Sequence, residues 1–190
     1  MTRILCVLCI AALLVFSAGA AMADSIMGRL GVTGKIGFIV PSDSSNLAGG
    51  VIGTNADFIG GGGFIYGVTD SIAAELDITH AGFSNFDVTN IALGAQYRYT
   101  KLSMKQLVPY AGAGVDILLN GVDNGSVDDT VGVHLCAGVD YFLQKQLAVT
   151  AEMKGVLAPD ADIKGPGGAK IGEFDPTSFS MTFGVRYFFN

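Results

Sequence analysis

The chain has no tryptophan, only five prolines and only three cysteines among its 190 residues. Charged residues make up 15% of it, and basic ones are the minority: eleven Lys and Arg against seventeen Asp and Glu, a formal charge of −6. That balance excludes a nucleic-acid binder or a polybasic membrane-surface protein, since both need a basic patch. Two of the cysteines, Cys6 and Cys9, sit at the extreme N-terminus, which leaves Cys136 alone downstream. A single thiol closes no internal disulfide, so a disulfide scaffold is excluded. Twenty-seven glycines without a Gly-X-Y period exclude collagen. No stretch beyond residue 16 is long and uncharged enough for a spanning helix. What is present is apolar surface: half the residues are hydrophobic and the mean hydropathy is +0.49. That excludes a disordered chain and exceeds what an ordinary soluble domain carries.

The first residues account for part of the excess. Arg3 supplies a positive start, Ile4 to Phe16 is an uncharged apolar run, and the small-residue stretch after it ends Ala21-Met22-Ala23 before Asp24. This is the pattern of a secretory signal peptide over residues 1–23, cut after Ala23, and not of an anchor helix. The mature domain is expected to run over 24–190. Cys6 and Cys9 would leave with the leader.

The rest alternates. From Ser178 to Asn190 the odd positions Phe179, Met181, Phe183, Val185, Tyr187 and Phe189 are apolar, while Ser178, Ser180, Thr182, Gly184 and Arg186 are small or polar. Period two is the signature of a strand with one apolar face. The same rule holds in seven further segments, around Leu30–Phe38, Phe58–Tyr66, Ile72–Ile78, Ile91–Tyr99, Tyr110–Ile117, Val131–Tyr141 and Leu147–Lys154. Eight strands of about ten residues suit tilted membrane crossings. Their connections alternate too. Short ones lie near 67–70, 101–106 and 143–146. Longer ones lie near 41–54, 81–87, 120–129 and 159–176. Short turns on one side and long loops on the other define an all-β, eight-stranded antiparallel transmembrane barrel.

Every charge inside a strand lies opposite the apolar face: Arg29, Lys35, Asp57, Glu75, Asp77, Arg98, Asp116, Asp140, Glu152, Lys154 and Arg186. In a membrane barrel these line the lumen, together with Leu118 and His134. The near balance of signs suits ions that must pair in confinement. Counted from the strand ends, Arg29, Arg98, Arg186 and Asp140 are expected low in the barrel. Lys35, Glu75, Glu152 and Lys154 are expected at mid-height, and Asp57, Asp77 and Asp116 as an acidic ring at the loop-side mouth. On the outer face Tyr66, Tyr97, Tyr99, Tyr141, Tyr187 and Phe189 fall at the turn side, and Phe38, Phe58 and Phe179 at the loop side. These form two aromatic girdles at the headgroup levels of a bilayer.

Several patterns that suggest chemistry do not carry it. Gly60 to Gly63 lacks the Lys-Ser/Thr and the helix of a phosphate loop, and reads as a strand another backbone approaches closely. His134 and Cys136 share the lumen face but are only two candidate metal ligands. Asp77 and His80 lie three apart on a strand, so they face opposite sides, and no Gly-x-Ser-x-Gly occurs. No catalytic residue, cofactor or metal is expected.

Four segments carry a resemblance: Arg29-Leu30-Gly31-Val32, Pro109-Tyr110-Ala111-Gly112-Ala113-Gly114-Val115, Ala137-Gly138-Val139-Asp140-Tyr141-Phe142, and the closing Phe183-Gly184-Val185-Arg186-Tyr187-Phe188-Phe189. With them the whole mature chain resembles small eight-stranded outer-membrane proteins of Gram-negative bacteria, nearest to the OmpW-like family and similar also to OmpA- and OmpX-type barrels. It departs from them in ending on Asn190 after Phe189 and in lacking Trp girdles. The resemblance implies a monomer in the lipid bilayer of the outer membrane, inserted by the outer-membrane assembly machinery. It also implies passage of small hydrophobic solutes through an apolar upper pocket opening sideways into the membrane. The alternative is an adhesive or structural barrel with a closed lumen and interaction loops.

Overall fold

The structure is a computed structural model that describes residues 25–41, 46–47, 50–51, 56–83, 86–102, 104, 106–122, 126–164 and 170–189. Residues 1–23, read above as a signal peptide, lie outside the described residues. Eight long strands follow in chain order: β1 (Leu30–Pro41), β2 (Asp57–Gly67), β3 (Ile72–Phe83), β4 (Phe86–Arg98), β5 (Leu107–Val122), β6 (Thr130–Phe142), β7 (Leu147–Leu157) and β8 (Ser178–Phe188). Each pairs antiparallel with its sequence neighbours. The barrel closes where β1 pairs β8, from Gly31 opposite Phe188 to Pro41 opposite Ser178. An even strand number lets the first and last strands meet antiparallel, so no edge is left open.

The alternation read from the sequence decides which way each side chain points. On β6, Val131, Val133 and Leu135 are exposed, while Thr130, Gly132 and His134 are buried. The outer wall is apolar all round: Phe38 is 62% exposed, Leu93 58% and Leu135 70%. Water tolerates only limited contiguous apolar patches on a monomer, so this wall is built for lipid. The inner face carries Thr33, Lys35, Asp77, Asp116, Thr150 and Arg186, all buried.

One end has tight turns. Val68 and Thr69 donate to the Ile72 carbonyl, and Leu143 donates to the Leu147 carbonyl. The other end differs from expectation in two ways. The connection expected as long around 81–87 is short, since β3 runs to Phe83 and β4 starts at Phe86. The segments expected as loops also form a second sheet, with strands ordered Gly50–Val51, Asn46–Leu47, Lys170–Phe174, Ala161–Lys164 and Ser126–Val127. It buries Val127, Ala161 and Ile163. These pieces span two to five residues, too short for a period-two signal to stand out among the charges and glycines around them.

At the turn end, residues 25–29 fold under the barrel. A turn through Gly28, at φ +73°, returns the Arg29 amide to the Ile26 carbonyl at 2.9 Å. That φ is costly for a residue with a Cβ. The turn buries Ile26 in a cluster with Ile65, Ala73, Val108, Phe142, Ala148 and Phe188.

Candidate functional site: the barrel lumen

The lumen is filled in layers, starting from the apolar cluster at the turn end. There the Phe142 and Phe188 rings stack at 5.8 Å. Arg29 sits at the rim with its guanidinium 5.6 Å over the Phe188 ring, and donates to the carbonyls of Lys145 (3.0 Å) and Phe188 (3.4 Å). It caps the barrel from below instead of joining the ions inside.

Above lies an ionic layer. Arg98 Nη2 contacts Asp140 Oδ2 at 2.6 Å, and Arg186 Nη1 grips both oxygens of the same carboxylate at 3.2 and 3.1 Å. Arg186 Nη2 reaches Glu75 Oε1 at 2.6 Å, and Gln96 donates to the other Glu75 oxygen. The Tyr110 ring lies 4.9 Å from the Arg186 guanidinium, and its hydroxyl donates to Glu152 at 2.9 Å. Glu75 therefore belongs with the low arginines and not at mid-height. Arg98, Asp140 and Arg186 are at most 1% exposed. Several kcal/mol per ion is the usual desolvation cost of such burial, so the pairs must be well made.

The next contacts are Lys35 Nζ to Asp77 Oδ2 at 2.5 Å and to Glu152 Oε1 at 3.2 Å. Asp116 accepts from Asn90 Nδ2 (2.7 Å), meets His134 Nδ1 (2.5 Å) and pairs with Lys154 (3.0 Å). The acidic mouth expected from Asp57, Asp77 and Asp116 is therefore absent. Asp77 and Asp116 are buried and neutralised within the lumen, and only Asp57 stays at the upper end, half-buried, accepting from its neighbour's amide. Counting from strand ends misplaced them because strands tilt in a barrel. Glycine makes the crossings possible. Gly61 and Gly63 of β2 stand between Lys35 and Asp77 and bring no side chain. A Cβ on Gly138 would lie 2.5 Å from the Tyr110 hydroxyl, and one on Gly114 2.6 Å from His134 Cε1.

Above the ions a cavity of about 40 Å³ opens. It is lined by the apolar Ile39, Pro41, Ile59, Ala81, Val88, Leu118, Val156 and Pro176, by the hydroxyl residues Thr79, Ser178, Ser180 and Thr182, and by Lys35, Asp77, Asn90, Glu152 and Lys154. Leu118 is 2% exposed and lies among them. A second space of about 10 Å³ lies lower, beside His134, Cys136 and Gly94, about the room one water needs. Among the described residues no group of three His, Cys, Asp or Glu is placed to hold a metal. The sequence reading singled out neither Tyr110, Gln96 and Asn90 as polar partners nor Ile59 and Val156 as cavity walls. All five share the inward parity of their strands, which was the available signal.

The girdle residues Phe38, Phe58, Tyr66, Tyr97, Tyr99, Tyr141, Phe179, Tyr187 and Phe189 are all exposed on the outer wall. Tyr187 and Phe189 meet edge to face at 5.3 Å.

A closed antiparallel barrel with lipid-facing apolar walls and a polar, ion-filled interior is a transmembrane β-barrel of the outer-membrane class. The chain belongs to the outer membrane protein beta-barrel domain family, whose model matches residues 8–189. The sequence matches none of the curated proteins. Solved structures share the fold. OprG from Pseudomonas aeruginosa is 20% identical with a TM-score of 0.63, covering 86% of this chain and 97% of that one. Neisserial surface protein A is 18% identical with a TM-score of 0.64, covering 84% and 97%. Outer membrane protein W of E. coli is 21% identical with a TM-score of 0.53, covering 86% and 98%. The protein is an outer-membrane barrel. In such barrels the tight-turn end is periplasmic and the loop end extracellular.

Proposed function

We propose that the barrel gives small, hydrophobic solutes passage through its upper lumen. They enter from the extracellular side and leave sideways into the bilayer, without chemical change. It does so as a monomer in the outer membrane of a Gram-negative cell, exported by its signal peptide and inserted by the assembly machinery. The observation that supports this is the apolar cup of Ile39, Ile59, Val88, Leu118 and Val156 above a sealed ionic core. A solute in the cup has apolar walls around it and buried ions beneath it, so the route down the barrel axis is the costly one. The test is influx of a small apolar fluorescent probe into liposomes holding the mature chain. Influx saturates with probe and falls at least several-fold in Leu118→Asp, which places a charge in the cup. Influx equal to that of empty liposomes, from a barrel that migrates as folded on an unheated gel, overturns the reading.

The second reading is a structural or adhesive barrel. It is favoured by ladders that run without a break between β1 and β8 and between β4 and β5, and by the paired ions across the lumen. It predicts no influx, and loss of surface adhesion when the extracellular loops are replaced.

A further inference from the structure

The upper cavity has a floor that selects as well as walls that attract. Its ammonium groups are already engaged: Lys35 lies between Asp77 and Glu152, and Lys154 is held on Asp116. Among the residues that line the cavity the charges balance, Lys35 and Lys154 against Asp77 and Glu152. An anionic head arriving here finds both ammonium groups paired and only the Thr79, Ser178, Ser180 and Thr182 hydroxyls as further donors, so no free cation receives it without breaking a buried pair.

Acceptors stand differently. Asp77 Oδ1 and Asn90 Oδ1 are buried oxygens without a donor among the described residues, and both residues border the cavity. The Asn90 amide is oriented by Asp116, whose ionised carboxylate only accepts, so Nδ2 turns to it and Oδ1 is the atom left over. Asp77 gives its other oxygen to Lys35, and its register partner Gly63 brings no side chain against it. Buried acceptors in this state are served by water or by a ligand.

We infer that the solute held in the cup is amphipathic: an apolar body against Ile59, Leu118 and Val156, with a hydrogen-bond-donating head, hydroxyl or ammonium, directed at Asn90 and Asp77. This rests on the upper-lumen reading above and narrows its substrate class. The donor satisfies those oxygens, and the body gains apolar contact with the cavity walls.

The experiment compares n-hexylamine, n-hexanol, n-hexanoate and n-hexane against the mature chain in lipid nanodiscs. The readout is saturable shifts of the Ile59 and Leu118 methyl resonances. Hexanol and hexylamine are expected to saturate at concentrations roughly 3–10-fold below hexane, one net hydrogen bond's worth, with hexanoate weakest. In Asn90→Leu, which keeps side-chain bulk and removes the acceptor, that advantage shrinks while hexane binding stays. Hexanoate binding as tightly as hexanol overturns the inference. Hexane matching hexanol in the unaltered protein also overturns it, and leaves the apolar-cup reading standing. Absence of saturable shifts with all four probes overturns both.

Discussion

At the residue scale the lumen holds its ions by mutual pairing, and the pairing is asymmetric in its consequences. Asp140 serves two guanidinium groups, Arg98 and Arg186, both at most 1% exposed. Removing the carboxylate leaves two buried charges short of a partner, whereas an apolar replacement of a whole network is often neutral. Asp140→Ala is therefore expected to lower stability by about 3–5 kcal/mol, read as the urea midpoint for loss of the folded band on unheated gels. A loss under about 1 kcal/mol, the ordinary size for an exposed pair, shows that water reaches these ions freely. The inward parity of Asp140, Arg98 and Arg186 was legible in the sequence. Their contact was not. Lys35 meets partners 42 and 117 positions away, and side chains that cross a lumen leave no local spacing to read.

At the element scale each strand separates two solvents, and a substitution is judged by the face it falls on. In β8, Phe183 points to lipid at mid-strand and its neighbour Thr182 points into the lumen. Phe183→Arg is expected to cost about 2–4 kcal/mol, the penalty of a cation on the lipid face near the midplane. Thr182→Ala is expected to cost less than about 1 kcal/mol, within the range of small substitutions that break no network. Refolding into vesicles of short-chain lipid measures both. Equal effects at the two sites are the outcome that contradicts the face assignment. The eight strands were readable because each runs for eleven or more residues, long enough for period two to show even where Gly60 to Gly63 interrupt it. The five short strands outside the barrel were not, because two to five residues cannot establish a period.

At the scale of the whole molecule the barrel and the extracellular sheet answer salt differently. The sheet is crossed by the exposed pairs Lys164–Asp128 at 2.6 Å and Lys170–Asp162 at 2.7 Å. Exposed pairs are screened over about 3 Å in molar salt, and buried pairs far less. Trypsin is therefore expected to cut after Lys164 and Lys170 faster as salt rises, while the barrel core resists throughout. Cleavage rates independent of salt show that the sheet is held by its burial of Val127, Ala161 and Ile163 and not by its ion pairs. Fragments from within β1 to β8 contradict the closed barrel itself.

The sequence by itself determined the class of protein, the number of barrel strands, the face of each barrel strand that turns inward and most of the ions inside, though not that Arg29 and Asp57 stay at the two ends. All of these follow from a local period of two and from where charge is allowed on an apolar wall. Only the tertiary structure decided which ions meet. It removed the acidic mouth by burying Asp77 and Asp116 in pairs, drew Glu75 to Arg186, and left an apolar cup above them. The reason is geometric. Strand tilt sets the heights at which side chains cross the lumen, and glycines on the intervening strands set which of them can reach each other.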